Sequence, residues 1–396
     1  YVLSAAGASV GLGNIWRFPY LAAKYGGGIF LLVYIILALT FGYTMIVAES
    51  ALGRMTRKSP VGAFRSFAKG KKVGWLSFGG WINAIIPVLI VPYYSVIGGW
   101  VVKYLFEYIR GNGSKLAEDG YFSGFISNGG ATEICFVIFC MFTLVIIYAG
   151  VQNGIERVSK IMMPILIVLS VIIAIYSVTR PGAIEGVKYF LVPNVKNFSW
   201  MTVVAAMGQM FYSLSIAMGI LVTFGSYMRK DTSIEDSTRN VEIFDTAIAM
   251  MAGLMIIPAV FAFSGGDPDT LQAGPSLMFI TIPKVFANMG FGTAVGILFF
   301  VLVLFAAVTS SIALTESAVS TFEDELGWGR KKATVLTGVI MIALGTLSCL
   351  GYGPLDFVKI IGMQFLDFFD FLTNSVMMPI AALMTSLLVS RVIGVD

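Results

Sequence analysis

Long apolar stretches without a charged residue alternate with short polar connections along the whole chain. A membrane-spanning helix needs about 20 mostly apolar residues, so this pattern predicts ten transmembrane helices. The ten stretches are residues 1–16, 25–48, 73–102, 134–150, 161–179, 197–228, 246–266, 285–315, 333–355 and 371–390. Apolar residues run continuously through each stretch instead of alternating with polar ones, which excludes a transmembrane β-barrel. The predicted fold is therefore an all-α polytopic membrane protein.

The sequence begins and ends close to predicted membrane segments. Tyr1 lies inside the first apolar stretch and Asp396 follows just after the tenth, so we expect the chain to be truncated at both ends. No basic leader precedes the first stretch, and we interpret it as a spanning helix instead of a signal peptide.

Two of the predicted spans contain small and polar residues that would interrupt a helix. The first span has Gly7, Gly11 and Gly13, and the sixth has residues 213–219, SLSIAMG. A single glycine often serves only to let helices pack closely. Interruptions at matching positions of two halves instead indicate an inverted-repeat transporter with its site near the middle of the membrane. We predict two five-helix repeats, residues 1–179 and 197–390.

The composition and the position of the charges support membrane insertion. Only 12% of residues are charged, whereas soluble domains have about 25%. Basic residues concentrate in the connections after even-numbered spans, which predicts a cytoplasmic amino end in the cell inner membrane. These residues are Arg54, Arg57, Lys58, Arg65, Lys69, Lys71, Lys72, Arg157, Lys160, Arg330, Lys331 and Lys332. The net charge of +4 thus reflects topology and not nucleic-acid binding.

Several other functions lack the residues that they require. Cys135, Cys140 and Cys349 all lie in apolar spans, without the spacing of a disulfide or zinc site. Histidine is absent and no nucleophile–base pair is evident, which argues against an enzyme. A channel would require a continuous polar lining, and the sequence has isolated polar clusters instead.

Residues 7–20, GASVGLGNIWRFPY, strongly resemble the first-helix signature of the neurotransmitter:sodium symporter family, in its bacterial amino-acid branch. The resemblance covers essentially the whole chain. Further matching motifs are Gly26-Gly27-Gly28, Pro92-Tyr93-Tyr94, residues 208–215, Thr309-Ser310-Ser311 and residues 322–326. The resemblance implies sodium-coupled symport of an amino acid by alternating access, with spans 1, 2, 6 and 7 rocking against the others. It also implies the inverted repeats and the helices 1 and 6 unwound in the membrane.

The resemblance implies two sodium sites. Carbonyl groups freed by an unwound helix need a partner in the membrane, and hard cations prefer oxygen ligands. One site would use Gly7, Val10, Ala306, Thr309 and Ser310. The other would use Ser9, Asn14, Ser213 and Asp245, together with the substrate carboxylate.

Asp245 departs from the family pattern, which usually has asparagine there. One helical turn later, Ala249 stands where relatives have serine or an acid. Related proteins bind chloride, or replace it by a carboxylate, near the equivalents of Tyr34, Gln209 and Ser213. Because an intramembrane carboxylate is by default functional, we expect Asp245 to remove any chloride requirement. The alternative is that Asp245 caps the cytoplasmic start of the seventh span.

The substrate contacts implied by the resemblance come from spans 1, 3, 6 and 8. They are Ala8, Ser9, Leu12, Gly13, Ile90, Tyr94, Tyr212, Ser213, Ser215, Met218, Ser310 and Leu314. Monoamine-transporting relatives have aspartate at the position of Gly11, so glycine there favours an amino acid that brings its own carboxylate. The apolar side chains among these residues, with the flexible Met218, suit large hydrophobic or aromatic substrates.

Gate residues also follow from the resemblance. Arg17 would pair outside the site with Asp370, or with Asp367 at helical spacing i, i+3. Tyr227 and Asp324 match the cytoplasmic gate, whose arginine partner would precede the first residue of the chain.

Two questions stay open at this stage. Glu49 in the second span is a further buried carboxylate, which we expect in a polar network near span six. An amino-acid sensor on the same fold remains the alternative function, and the sequence does not indicate the oligomeric state.

Overall fold

Helices form the whole architecture in the computed structural model, which describes residues 9–68, 74–265 and 276–394. Within these ranges there are two isolated β-bridges, Gly27 with Pro193 and Ile360 with Met363, and no β-strand. This confirms the prediction of an all-α membrane protein.

Fourteen helical segments form the framework around the site. They are α1 (Phe18–Lys24), α2 (Gly28–Thr56), α3 (Pro60–Ala68), α4 (Gly74–Ile109), α5 (Gly129–Tyr148), α6 (Gly154–Val178), α7 (Ala183–Leu191), α8 (Trp200–Ser213), α9 (Ile220–Ser226), α10 (Ile234–Ser264), α11 (Leu277–Ala287), α12 (Gly292–Leu326), α13 (Arg330–Leu350) and α14 (Phe365–Ile393).

Eight of these helices are long and apolar enough to cross a membrane: α2, α4, α5, α6, α10, α12, α13 and α14. They fall on eight of the ten predicted stretches. The stretch 197–228 corresponds to an interrupted helix, and only residues 9–16 of the stretch 1–16 are described. The count of ten spans and the division into two repeats stay predictions.

Several helices extend past the ends that the sequence predicts. The first segment continues through a π-helical turn, Gly13–Arg17, into α1. The stretch predicted to end at residue 315 continues to Leu326. The prediction was wrong at these ends because it treated each charged residue as a boundary. A charged side chain can stay inside a membrane helix where it finds a partner in the protein.

The sixth predicted span is interrupted between α8 and α9. Ser215 (φ 56°), Ala217 (φ 61°) and Gly219 (φ 70°) all adopt left-handed backbone conformations. A non-glycine residue in this region costs about 1–3 kcal/mol and persists only where surrounding structure fixes it. In the first segment, the chain bends at Val10 and Gly11. The two interruptions that the sequence predicts are therefore present in the described residues.

Close backbone contact joins α2 to α9. A Cβ atom on Gly53 would lie 2.0 Å from the carbonyl oxygen of Val222, and one on Gly225 would lie 2.4 Å from that of Ser50. Small residues of this kind let membrane helices approach closely. Arg57 donates hydrogen bonds to the carbonyls of Ser226 (3.0 Å) and Met228 at the end of α9. The helices α2 and α9 are therefore packed tightly against each other.

Candidate substrate and ion site

The two interruptions meet in the centre of the protein and enclose a small cavity with α4 and α12. Its volume is about 20 Å³, room for roughly one water molecule. It is lined by Ser9, Gly11, Leu12, Gly13, Asn14, Ile90, Tyr94, Tyr212, Ser213, Ser215, Met218, Ile220, Ser310 and Leu314. Eleven of the twelve predicted substrate residues are in this set, and Ala8 lies outside the described residues. The set adds Gly11, Asn14 and Ile220. Contact between the twelve predicted residues and a substrate stays a prediction.

One end of the cavity is polar. The hydroxyl of Tyr94 accepts a hydrogen bond from the backbone N–H of Leu12 at 3.2 Å. A Cβ atom on Gly11 would lie 2.4 Å from the Ser310 hydroxyl oxygen and 3.2 Å from that of Tyr94. A larger residue at position 11 would therefore require the Ser310 side chain to move, and two hydroxyl groups lie next to this position. The apolar end consists of Ile90, Met218, Ile220 and Leu314.

Oxygen atoms from the first segment and from α12 converge beside the cavity. The Ser310 hydroxyl donates to the carbonyl oxygen of Val10 at 3.2 Å. The Thr309 hydroxyl oxygen lies 3.4 Å from the same carbonyl and 3.0 Å from the carbonyl oxygen of Phe305 in its own helix. Thr309 is also 3.2 Å from the carbonyl oxygen of Ala306. Gly7, the fifth predicted ligand, lies outside the described residues. These neutral oxygens have the chemistry that a hard cation such as Na⁺ prefers.

Asp245 is the centre of a second polar cluster. Its carboxylate accepts hydrogen bonds from the Asn14 amide (2.8 Å), the Ser213 hydroxyl (2.7 Å) and the Tyr34 hydroxyl (2.7 Å). All four side chains are buried. Ser9, the remaining predicted ligand, is buried and lines the adjacent cavity. The cluster places a carboxyl group next to a set of oxygen atoms, and in its ionised form this group would suit a monovalent cation.

The position of Asp245 removes the alternative that it caps a helix. The helix α10 begins at Ile234, and the side chain of Ser233 caps it by accepting the N–H of Asp236 at 3.1 Å. Asp245 therefore lies about three turns inside the helix. The capping interpretation is wrong because the charged start of α10 was read as a connection outside the membrane.

Glu49 connects α2 to the interruption between α8 and α9. Its Oε1 accepts the backbone N–H of Ala217 at 2.8 Å, and the side chain is fully buried. Alternating right- and left-handed residues turn successive N–H groups inwards, which creates a concave site for an anion. The left-handed Ser215 and Ala217 flank such a turn, so the carboxylate of Glu49 stabilises the interrupted conformation.

The predicted outer gate residues are close to the cavity but do not form an ion pair. The guanidinium of Arg17 lies 5.1 Å from the ring centroid of Tyr212. Asp370 accepts hydrogen bonds from Asn374 (2.6 Å) and Tyr93 (3.3 Å). Asp367 instead accepts a hydrogen bond from Tyr352 at 3.2 Å. In the described chain, neither acid comes within 4.0 Å of Arg17.

Tyr227 and Asp324, the predicted inner gate residues, have separate partners. The hydroxyl of Tyr227 donates to Glu316 at 2.7 Å, and Arg330 donates to both carboxylate oxygens of Glu316 at 3.0 and 2.5 Å. Asp324 accepts the backbone N–H of Ser59 at 2.5 Å. The buried Glu316 thus links Tyr227 and Arg330 on the side of the protein that the basic residues predict to be cytoplasmic.

Glu316 is a residue that the sequence analysis missed. It is fully buried in α12 and paired with Arg330. The available signal was an acid directly after a long charge-free run, since a carboxylate within a membrane helix is by default functional. The sequence analysis treated Glu316 as the end of the eighth span.

The chain is similar to several known proteins along most of its length. The sequence matches the sodium:neurotransmitter symporter family over residues 1–114 and 121–396. An uncharacterized sodium-dependent transporter of Bacillus subtilis, YhdH, is 36% identical and covers 98% of this chain and 85% of its own length. The human sodium- and chloride-dependent GABA transporter 2 is 27% identical, over 82% of this chain and 60% of its own. The crystal structure of MhsT in complex with L-phenylalanine superimposes with a TM-score of 0.87, at 39% identity, covering 98% of this chain and 87% of the other.

Proposed function

Because the chain belongs to the sodium:neurotransmitter symporter family, whose members are sodium-dependent multi-pass membrane transporters and not enzymes, we propose that it carries a hydrophobic or aromatic L-amino acid with Na⁺ by alternating access. The central observation is a cavity between two interrupted helices, flanked by two clusters of oxygen atoms. Two Na⁺ ions would accompany each substrate, and chloride would not be required.

The shape of the cavity supports an amino-acid substrate. Hydroxyl groups and the backbone of the two interruptions lie at one end, where a carboxylate and an ammonium group would find partners. Apolar side chains at the other end would receive the substrate side chain. The structural relative MhsT was crystallised with L-phenylalanine, which supports the same class of substrate here.

Contacts on both sides of the cavity support alternating access. Arg17, Tyr212 and Asp370 would form the gate on one side, and the network around Glu316 would form the gate on the other. The cavity volume of about 20 Å³ is far smaller than the 300 Å³ or more of a typical ligand pocket, so the pocket must widen around a substrate. The joined helices α2 and α9 would move together when the inner side opens.

Two sodium ions provide enough energy for steep accumulation. Each positive charge that moves inward gains about 2.3 kcal/mol per 100 mV, and a tenfold concentration gradient adds about 1.4 kcal/mol. Two ions therefore supply roughly 7 kcal/mol, enough for accumulation on the order of 10⁵-fold. One ion would support accumulation of only a few hundredfold.

Uptake into proteoliposomes tests the proposal directly. Under an inward sodium gradient with a negative interior, the full chain should accumulate labelled L-phenylalanine above the outside concentration. Replacing sodium by N-methyl-D-glucamine, or collapsing the gradient with a sodium ionophore, should abolish accumulation. Saturable binding of L-phenylalanine without any accumulation would contradict symport and favour the sensor.

Met218 should set the size of the substrate pocket. We expect Met218→Phe to shift preference from tryptophan and tyrosine towards leucine by roughly tenfold, because a stiff ring replaces an adaptable thioether in a small cavity. Competition of the three amino acids against labelled L-phenylalanine measures this shift. Met207→Phe on the exposed face of α8 is the matched control. An unchanged rank order in Met218→Phe would remove Met218 from the pocket.

A further inference from the structure

An apolar groove runs between α5 and α13 on the outer surface of the protein. Its volume is about 340 Å³, and it is lined chiefly by Leu144, Val145, Val335, Val339 and Ile342. Val145 and Val339 are exposed to 63% and 60%. A surface of this kind on spanning helices faces the hydrocarbon of the bilayer.

One polar side chain interrupts this lining. Thr334 borders the groove with only 3% of its surface exposed, and its hydroxyl has no hydrogen-bond partner among the described residues. A buried hydroxyl without a partner leaves the free-energy cost of its desolvation uncompensated. A ligand with an acceptor group at this depth would remove that cost.

The end of the groove near Thr334 is basic. Lys331 and Lys332 are exposed in the first turn of α13. The ammonium group of Lys331 lies 5.7 Å from the ring centroid of Tyr148, which borders the groove at the end of α5. The neighbouring Arg330 is occupied by Glu316 and by the carbonyl of Ile147, so the two lysines supply the charge.

These features follow the order of groups in a phospholipid. At about 1.5 Å per residue, Thr334 lies about 5 Å along the helix from Lys331, and Ile342 lies about 16 Å from it. A phosphate at the lysines would place an ester carbonyl near Thr334 and an acyl chain along Val335, Val339 and Ile342. We propose that the groove between α5 and α13 binds an anionic phospholipid, with its phosphate at Lys331 and Lys332.

Charge complementarity favours this occupant over a second copy of the chain. Anionic lipids attract basic residues at the cytoplasmic surface, by about 1 kcal/mol per lysine. In a symmetric dimer with its axis along the membrane normal, Lys331 and Lys332 of both copies would lie at the same end of the interface. These like charges would repel each other.

Native mass spectrometry of the purified full chain tests the headgroup contact. We titrate phosphatidylglycerol and phosphatidylcholine separately and expect the wild type to bind phosphatidylglycerol more tightly. The double variant Lys331→Gln with Lys332→Gln should bind phosphatidylglycerol about thirtyfold more weakly, the value for two charges at about 1 kcal/mol each. Its affinity for phosphatidylcholine should be unchanged. Arg229→Gln with Lys230→Gln removes two exposed charges from the connection between α9 and α10 and should change neither affinity.

Val339→Phe tests the acyl-chain contact, because a ring at this exposed position would fill part of the groove. We expect this substitution to weaken the binding of both lipids severalfold, although the two lysines are still present. No headgroup preference in the wild type, equal losses in the control pair, or an unaffected Val339→Phe would each overturn the proposal. A lipid-free dimer that Val339→Phe dissociates would assign the groove to a second copy instead.

Discussion

Sodium-dependent uptake should be abolished when Thr309 and Ser310 are both replaced by alanine, while membrane insertion stays normal. Both hydroxyls reach the carbonyl oxygen of Val10 at the bend of the first segment. A hydrogen bond or ligand to a charged group contributes about 1.5–3 kcal/mol. The loss of two should weaken sodium binding by on the order of 10²–10⁴-fold.

The measurement is the sodium concentration that gives half-maximal L-phenylalanine uptake in proteoliposomes. A matched control is Thr315→Ala with Thr321→Ala, because these hydroxyls lie on the same helix and donate only to its own carbonyls, at 2.7 and 2.9 Å. This control should retain sodium dependence near the wild-type value. Normal sodium affinity in the Thr309 and Ser310 variant would show that these hydroxyls do not bind the ion.

The fold class was predictable from the sequence because a membrane allows few solutions. Backbone groups in lipid must be satisfied within the protein, so long apolar runs can only be helices. The interruption at residues 213–219 was visible as a group of small and polar residues. Its geometry was not, because the left-handed conformations of Ser215 and Ala217 depend on the carboxylate of Glu49 and on packing by distant segments.

The candidate site was predictable only in part, and mainly through family resemblance. Nothing local indicates that Thr309 faces Val10, since the two are separated by 299 positions and a lone threonine in a helix usually bonds its own backbone. Hydropathy also cannot distinguish a buried, paired acid from the end of a span. This is why Asp245 was given a capping alternative and why Glu316, paired with Arg330, was missed.

Asp245 should make transport independent of chloride. Two sodium ions and a zwitterion bring excess positive charge into a buried site, where an unpaired charge costs several kcal/mol. The relative human GABA transporter 2 is described as sodium- and chloride-dependent, which fits an anion in this role. Here the carboxylate of Asp245 is fixed by Asn14, Ser213 and Tyr34 and can supply the negative charge itself.

Uptake with gluconate in place of chloride tests this role. We expect the wild type to be unaffected and Asp245→Asn to lose transport by at least tenfold in gluconate. Added chloride should restore part of it, because Tyr34, Ser213 and the buried Gln209 remain to bind the anion. Asp236→Asn removes the same charge from the exposed start of α10 and should transport like the wild type in both media. If the wild type stops without chloride, Asp245 does not compensate the sodium charge, and its carboxylate serves only to hold Asn14, Ser213 and Tyr34 in place.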